Sequence, residues 1–188
     1  MAHRPRESRP IHTIGHSTLT LDELATRLAS AGVRGLADVR RFPASRRHPQ
    51  FNREALAAGL ADRGIEYRWF EALGGRRAAT RESANAGLNV GGFRAYADYA
   101  LTEPFRRALA DLEAWALEFP VAICCAEALW WQCHRRLLAD HLIARGWTVL
   151  HILGDRKVAR HELWELARLT SEGPVYPPPQ AELFPTGS

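Results

Sequence analysis

The run Val121-Ala122-Ile123-Cys124-Cys125 constrains the fold of this chain more than any other stretch. Its side chains are apolar, small or β-branched, with no polar alternation. A strand built from them must therefore be covered on both faces, as in a parallel sheet between two helix layers. The run ends abruptly at a carboxylate, Glu127, and Cys133, His134 and Arg135 open what reads as the next helix. Open α/β sheets bind ligands just beyond the carboxyl ends of their strands. The stretch from Val121 to Arg136, which holds all three cysteines, is the first place to look for chemistry.

The flanking sequence repeats the alternation of strand and helix. Ile11 to Ile14 predicts a first strand, followed by Gly15-His16-Ser17-Thr18. Thr20 and Glu23 stand at capping-box spacing ahead of a helix carrying Leu21, Leu24, Ala25 and Leu28. Gly35 to Val39 predicts the second strand, and Asn52 the cap of a helix with Leu56 and Leu60 on one face, closed by Gly64. Ile65 to Phe70 alternates aromatic and polar residues, as a half-buried or edge strand does. Residues 72–92 contain five glycines and no periodicity, the mark of a lid, a binding loop or a disordered segment. Phe93 to Leu101 reads as a short helix, and Thr102 with Pro104 starts a longer one reaching Pro120. Leu137, Leu138 and Leu142 mark the stripe of the helix after Cys133, with His141 a core histidine beside it. Trp147 to Leu153 reads as a strand and Arg160 to Leu169 as a last helix.

The fold class expected is α/β: a single domain with a mainly parallel five-stranded sheet and helices on both faces, Rossmann-like or flavodoxin-like. A length of 188 residues suits one domain. Its expected span is 11–170, between a disordered N-terminus, 1–10, and an extended proline-rich tail, 171–188. No apolar stretch approaches the ~18 residues of a membrane span, and the start carries no signal-peptide core. The expectation is a cytoplasmic protein with free thiols, since three cysteines build no disulfide framework.

In a parallel sheet all strands deliver their carboxyl ends to one edge. His16 and Ser17 follow the first strand, Asp38 and Arg40 the second, the glycine-rich loop the third, Glu127 the fourth, and Asp155 and Arg156 the fifth. One crevice can collect them. Net charge is +4, and of 25 basic residues only Lys157 is a lysine. Base-composition bias accounts for such a total, so clustering carries the argument. Arg40, Arg41, Arg46 and Arg47 surround Phe42 and His48, a pattern that contacts phosphates while an aromatic ring stacks on a base. The alternative is a solvated loop paired with local acids.

Ile14-Gly15-His16-Ser17, then Asp38-Val39-Arg40 with Pro43 and Ser45, Leu73-Gly74-Gly75, and Cys125-Ala126-Glu127 followed by Cys133-His134-Arg135 resemble the DUF488 family of bacterial proteins. The resemblance runs in order over roughly 11–153. The family name records an unassigned function, so the resemblance supports the site more than a reaction.

The chemistry expected is that of an enzyme acting on nucleic acid or a nucleotide by hydrolysis or group transfer, in DNA repair, DNA maintenance or base modification. Glu127 and Asp38 are the candidate acid/base or nucleophilic carboxylates and His16 assists proton transfer. Ser17, Arg40, Arg46, His134 and Arg135 are the candidate phosphate ligands, the last two at a helix start that favours anions. Against these roles stand an ion pair of Glu127 with Arg40 or Arg135, and an Asp38 that accepts backbone N–H bonds. Cys125 and Cys133 form a possible thiol site, whose alternative is simple packing. A cysteine phosphatase needs arginine six residues after its cysteine, and after Cys125 that position is Trp131. Zinc held by Cys125, Cys133 and His134 with Glu127 or His16 lacks paired CxxC or HxxxH spacing. No metal and no cofactor is expected. At most one of Trp130 and Trp131 faces inward, leaving the other to line the crevice.

Two other classes remain open: a non-catalytic nucleic-acid binding or adaptor module, and a cysteine-based redox or metal-binding protein. In the tail, Gln180 followed three residues later by Leu183-Phe184 resembles the peptide with which bacterial DNA-processing proteins bind the sliding clamp, and a proline-rich leader suits docking in an apolar groove.

Overall fold

The computed structural model describes residues 10–179. Five parallel strands form where the apolar and alternating patterns place them: β1 (Ile11–Gly15), β2 (Gly35–Asp38), β3 (Glu66–Trp69), β4 (Val121–Cys125) and β5 (Val149–Gly154). A sixth strand, β6 (Lys157–Arg160), returns antiparallel along β5 and completes the order β3-β2-β4-β1-β5-β6. The most apolar strand is central: β4 lies between β2 and β1, with every residue buried.

Helices cover both faces. α1 (Leu21–Ser30) and α2 (Arg53–Ala61) bury Leu24, Leu28, Leu56 and Leu60 against Ile14, Leu36, Ala122 and Cys124. On the other face α3 (Gly91–Ala100), α4 (Glu103–Glu118) and α5 (Arg135–Ala144) bury Tyr96, Leu109, Leu112 and Leu138 against Val39, Val121, Ile123 and Cys125. Alternate residues of β4 thus serve opposite layers, which separates the adjacent Cys124 and Cys125. The expected capping box forms: Glu23 N–H donates to Thr20 Oγ1 at 3.2 Å, and Thr20 N–H to Glu23 Oε2 at 2.6 Å.

Several local expectations are corrected. Asn52 occupies the N-cap position of α2, yet its side chain makes no capping bond; Asn52 Oδ1 accepts from Ser45 N–H at 2.6 Å and ties the arginine loop to the helix start. The helix expected from Arg160 to Leu169 does not form. There His161 and the Trp164 main-chain N–H bond the buried Asp140, and satisfying that carboxylate outweighs helical propensity. The described part of the expected extended tail folds back instead. β7 (Arg168–Thr170) and β8 (Gly173–Val175) pair as a hairpin, and Tyr176 is fully buried with its O–H on Asp140 Oδ2 at 2.7 Å. α5 begins at Arg135, with Cys133 still extended and His134 at the N-cap position. Among the described residues no helix is long and apolar enough to cross a membrane.

Candidate functional site

The chain leaves β1 and β2 toward helices on one face and leaves β4 toward α5 on the other. Neighbouring strands whose continuations part in this way open a crevice at their carboxyl ends. Backbone pairing carries the two sides of this opening past the strands: His16 N–H donates to Cys125 O at 2.9 Å and Ser17 N–H to Ala126 O at 3.0 Å. Gly15 permits the approach. A Cβ there would lie 1.8 Å from the Glu127 carbonyl oxygen, so a side chain at this position excludes the loop after β4.

At the end of β2, Asp38 is fully buried and engaged on both oxygens. Asp38 Oδ1 accepts from the Arg40 main-chain N–H at 3.0 Å and from Arg40 Nε at 2.9 Å, while Oδ2 accepts from Arg40 Nη2 at 2.5 Å and Tyr67 O–H at 2.7 Å. Burial works against the Arg40 cation, but the Asp38 bonds outweigh it and hold its pKa above the ordinary arginine value. Burial and the Asp38 charge together push the Tyr67 hydroxyl pKa up. Arg40 Nη1 reaches His16 Nε2 at 3.3 Å, and His16 Nδ1 lies 3.2 Å from Ser17 O. Since a guanidinium only donates and a carbonyl only accepts, His16 carries its proton on Nδ1 and accepts at Nε2. Burial, then the Arg40 cation, lowers its pKa to about 4, so the ring is neutral at physiological pH. His16 also stacks on Phe51, ring centroids 4.0 Å apart.

Glu127 lies on the exposed loop between β4 and α5, and its carboxylate has no hydrogen-bond or ion-pair partner among the described residues. Neither expected ion pair forms. Arg40 is taken by Asp38, and Arg135, only 1% exposed, directs Nη2 to the main-chain oxygens of Glu127 and Ala128 and Nη1 to Thr13 Oγ1. Of the expected phosphate ligands, Arg46 is exposed, Ser17 and His134 are half-buried, and Arg40 and Arg135 are buried against their own chain. Phe42 is 62% exposed on the arginine loop, with Arg41 over its ring at 5.7 Å. Trp130 stacks on His151 at 4.0 Å, whereas Trp131 is exposed.

Cys125 and Cys133 come together at the base of the same loop, Sγ to Sγ 2.9 Å, and Cys124 is buried on the far face. Among the described residues no group of three or more His, Cys, Asp or Glu side chains is disposed to hold a metal ion. Gln180, Leu183 and Phe184 lie outside the described residues.

One buried chain of groups escaped the sequence reading. Arg135 Nη1 donates to Thr13 Oγ1, the Thr13 hydroxyl meets His151 Nδ1 at 2.7 Å, His151 Nε2 meets His161 Nδ1 at 3.0 Å, and His161 Nε2 meets Asp140 Oδ1 at 2.8 Å. All donors point one way if both imidazoles are neutral, ending on a carboxylate that Tyr176 also serves. Burial, followed by His161 and Arg135, lowers the His151 pKa to about 3. The partners are far apart in sequence, and no spacing marks them.

Neither the comparison with curated proteins nor that with solved structures yields a match. A family model does match, over residues 20–142, a span that includes Asp38, Arg40, Glu127 and the Cys133-His134-Arg135 segment. The chain belongs to the family described as a domain of unknown function, DUF488.

Proposed function

We propose that this strand-end crevice acts on nucleic acid or a nucleotide, by hydrolysis or group transfer, in DNA maintenance or base modification. The observation that carries the reading is a juxtaposition at the ends of neighbouring strands. The loop after β2 offers exposed Arg46, Arg47 and Phe42, and the loop after β4 offers exposed Glu127, a carboxylate with no partner among the described residues. Arginines neutralise phosphates, aromatic rings accept stacked bases, and an unpaired carboxylate accepts a proton or attacks an electrophile. Glu127 is the acid/base or nucleophilic group. Asp38 holds Arg40, and burial together with the Arg40 cation keeps His16 neutral, so these three fix the rim against which Glu127 works. Arg135 sets the loop carrying Glu127 from below.

The test is incubation with single- and double-stranded oligonucleotides of varied base content, with products read by mass spectrometry. The expected result is a mass change that Glu127→Gln abolishes while binding persists. Turnover unaffected by Glu127→Gln overturns the assignment. Salt-sensitive binding that Arg46→Ala with Arg47→Ala weakens, with no chemical change in any oligonucleotide, favours the adaptor module instead. Recruitment to the sliding clamp through Gln180, Leu183 and Phe184 belongs to the same proposal, as does a cytoplasmic location. A clamp-binding measurement with and without residues 180–184 decides the partner.

A further inference from the structure

The two thiols beneath the Glu127 loop lie side by side at the edge of the core, sulfur against sulfur. Cys125 ends β4 on the face covered by α3, α4 and α5, and Cys133 sits in extended backbone just ahead of α5. Their sulfurs are 2.9 Å apart, within reach of a thiol-to-thiolate hydrogen bond. Two further groups converge on Cys133 Sγ: the Arg135 main-chain N–H at 3.4 Å and His134 Nδ1 at 3.5 Å. His134 Nε2 lies 3.1 Å from Val39 O, a carbonyl that can only accept, so Nε2 carries a proton and Nδ1 is left to exchange one with Cys133. The Cys125 hydrogen bond first, then His134 and Arg135, hold Cys133 well below the ordinary thiol range, whereas burial pushes Cys125 up. Cys124 supplies an internal contrast: it is fully buried among α1 and α2 side chains, and burial raises its pKa to about 12.

Cys133 lies just beneath the surface. Cys133 is buried but its neighbours are not, since residues 126–129 are exposed and His134 is half-buried. A Cβ on Gly75 would lie 3.0 Å from His134 Nδ1, so the glycine lets the main chain close over the imidazole that serves Cys133.

We propose that Cys125 and Cys133 are a peroxide-sensitive dithiol whose oxidation closes the loop carrying Glu127 with a disulfide. Cys133 gives its proton to His134 Nδ1, and the thiolate attacks the outer oxygen of a hydroperoxide. The S–O bond forms as the O–O bond breaks, and the departing alkoxide or hydroxide takes the proton from His134. Cys125 then attacks the sulfenic sulfur; the S–S bond forms, the S–O bond breaks, and water leaves with the Cys125 proton. Overall, two thiols and one hydroperoxide give one disulfide, one alcohol (or water) and one water. A reducing thiol reverses the state by exchange. The proposal does not depend on the substrate of the crevice.

The experiment treats the reduced full-length protein, in its native state, with one equivalent of hydrogen peroxide, then alkylates and maps peptides by fragmentation mass spectrometry. The expected product links Cys125 to Cys133, is restored by dithiothreitol, and leaves Cys124 alkylated. In Cys125→Ser, Cys133 is expected to accumulate as a sulfenic acid trapped by dimedone. In Cys133→Ser, oxidation of Cys125 is expected to slow by about tenfold or more. Retention of all three thiols in the wild-type protein, under conditions that consume free glutathione, overturns the proposal. So does a link through Cys124. Both outcomes are read on the wild-type chain and stand even if a variant fails to fold.

Discussion

Arg135 binds the main-chain carbonyl of Glu127 and not its carboxylate. One buried guanidinium thereby spans the Glu127 and Ala128 carbonyls and the Thr13 hydroxyl, joining the loop after β4 to the middle of β1. The acid is left to solvent while its backbone is pinned.

Removing that tie destabilises the whole domain. Arg135→Met keeps much of the apolar stem and deletes the donors, stranding two carbonyls, and is expected to cost about 2–4 kcal/mol. Urea unfolding monitored by tryptophan fluorescence measures it. A change below about 1 kcal/mol shows that the guanidinium does not hold the loop.

The Asp38 cluster predicts an order of effects. Asp38→Asn leaves the Arg40 cation buried without its counter-charge and is expected to cost about 3–5 kcal/mol. Tyr67→Phe removes a single O–H bond to the same carboxylate and is expected to cost about 1 kcal/mol. Equal midpoints for the two variants contradict this arrangement.

Acid weakens the fold through histidines buried in the neutral form. His16 and His141 have pKa values lowered to about 4 and His151 to about 3, each chiefly by burial, from an ordinary value of 6.5. The unfolded chain binds these protons near pH 6.5 and the folded chain does not. Stability is therefore full above that pH and falls as pH drops toward the folded values, by up to about 1.4 kcal/mol per pH unit for each ring. Urea midpoints between pH 7.5 and pH 4.5 give the slope, and a flat profile refutes the burial of these rings as neutral groups.

Gly15→Ala tests the close approach of β1 to the Glu127 loop. The added methyl group meets the Glu127 carbonyl and forces backbone to shift, at a cost of about 2–4 kcal/mol. Thermal unfolding of the variant provides the readout, and a melting temperature equal to wild type contradicts the contact.

What was legible beforehand follows the reach of each pattern. The unbroken apolar run of β4, the alternation of β3 and the Thr20–Glu23 cap depend on neighbours within a few residues, and each formed where expected. The gathering of His16, Arg40 and Asp38 followed from strand direction alone. Arg135 shows the limit: sequence identifies a cation at a helix start, but not that three acceptors of its own chain occupy it. His151, His161, Asp140 and Tyr176 were invisible for a related reason. Their pairing depends on a turn after β6 that packs against α5, and helical periodicity pointed the other way at His161 to Leu169.

The central position of β4 sets an order on synthesis. β1 and β2 leave the ribosome first, yet they are not neighbours; each presents β4 with one of its edges. Those two edges stay open until Cys125 has emerged, so a nascent chain carries open strand edges over much of its length, the condition that favours edge-to-edge association. Truncation before β4 leaves the β2–β3 pair on one side and β1 on the other, with nothing to join them. Insertion of residues 121–125 joins the two parts, and β5 and β6 then extend the sheet from the free edge of β1.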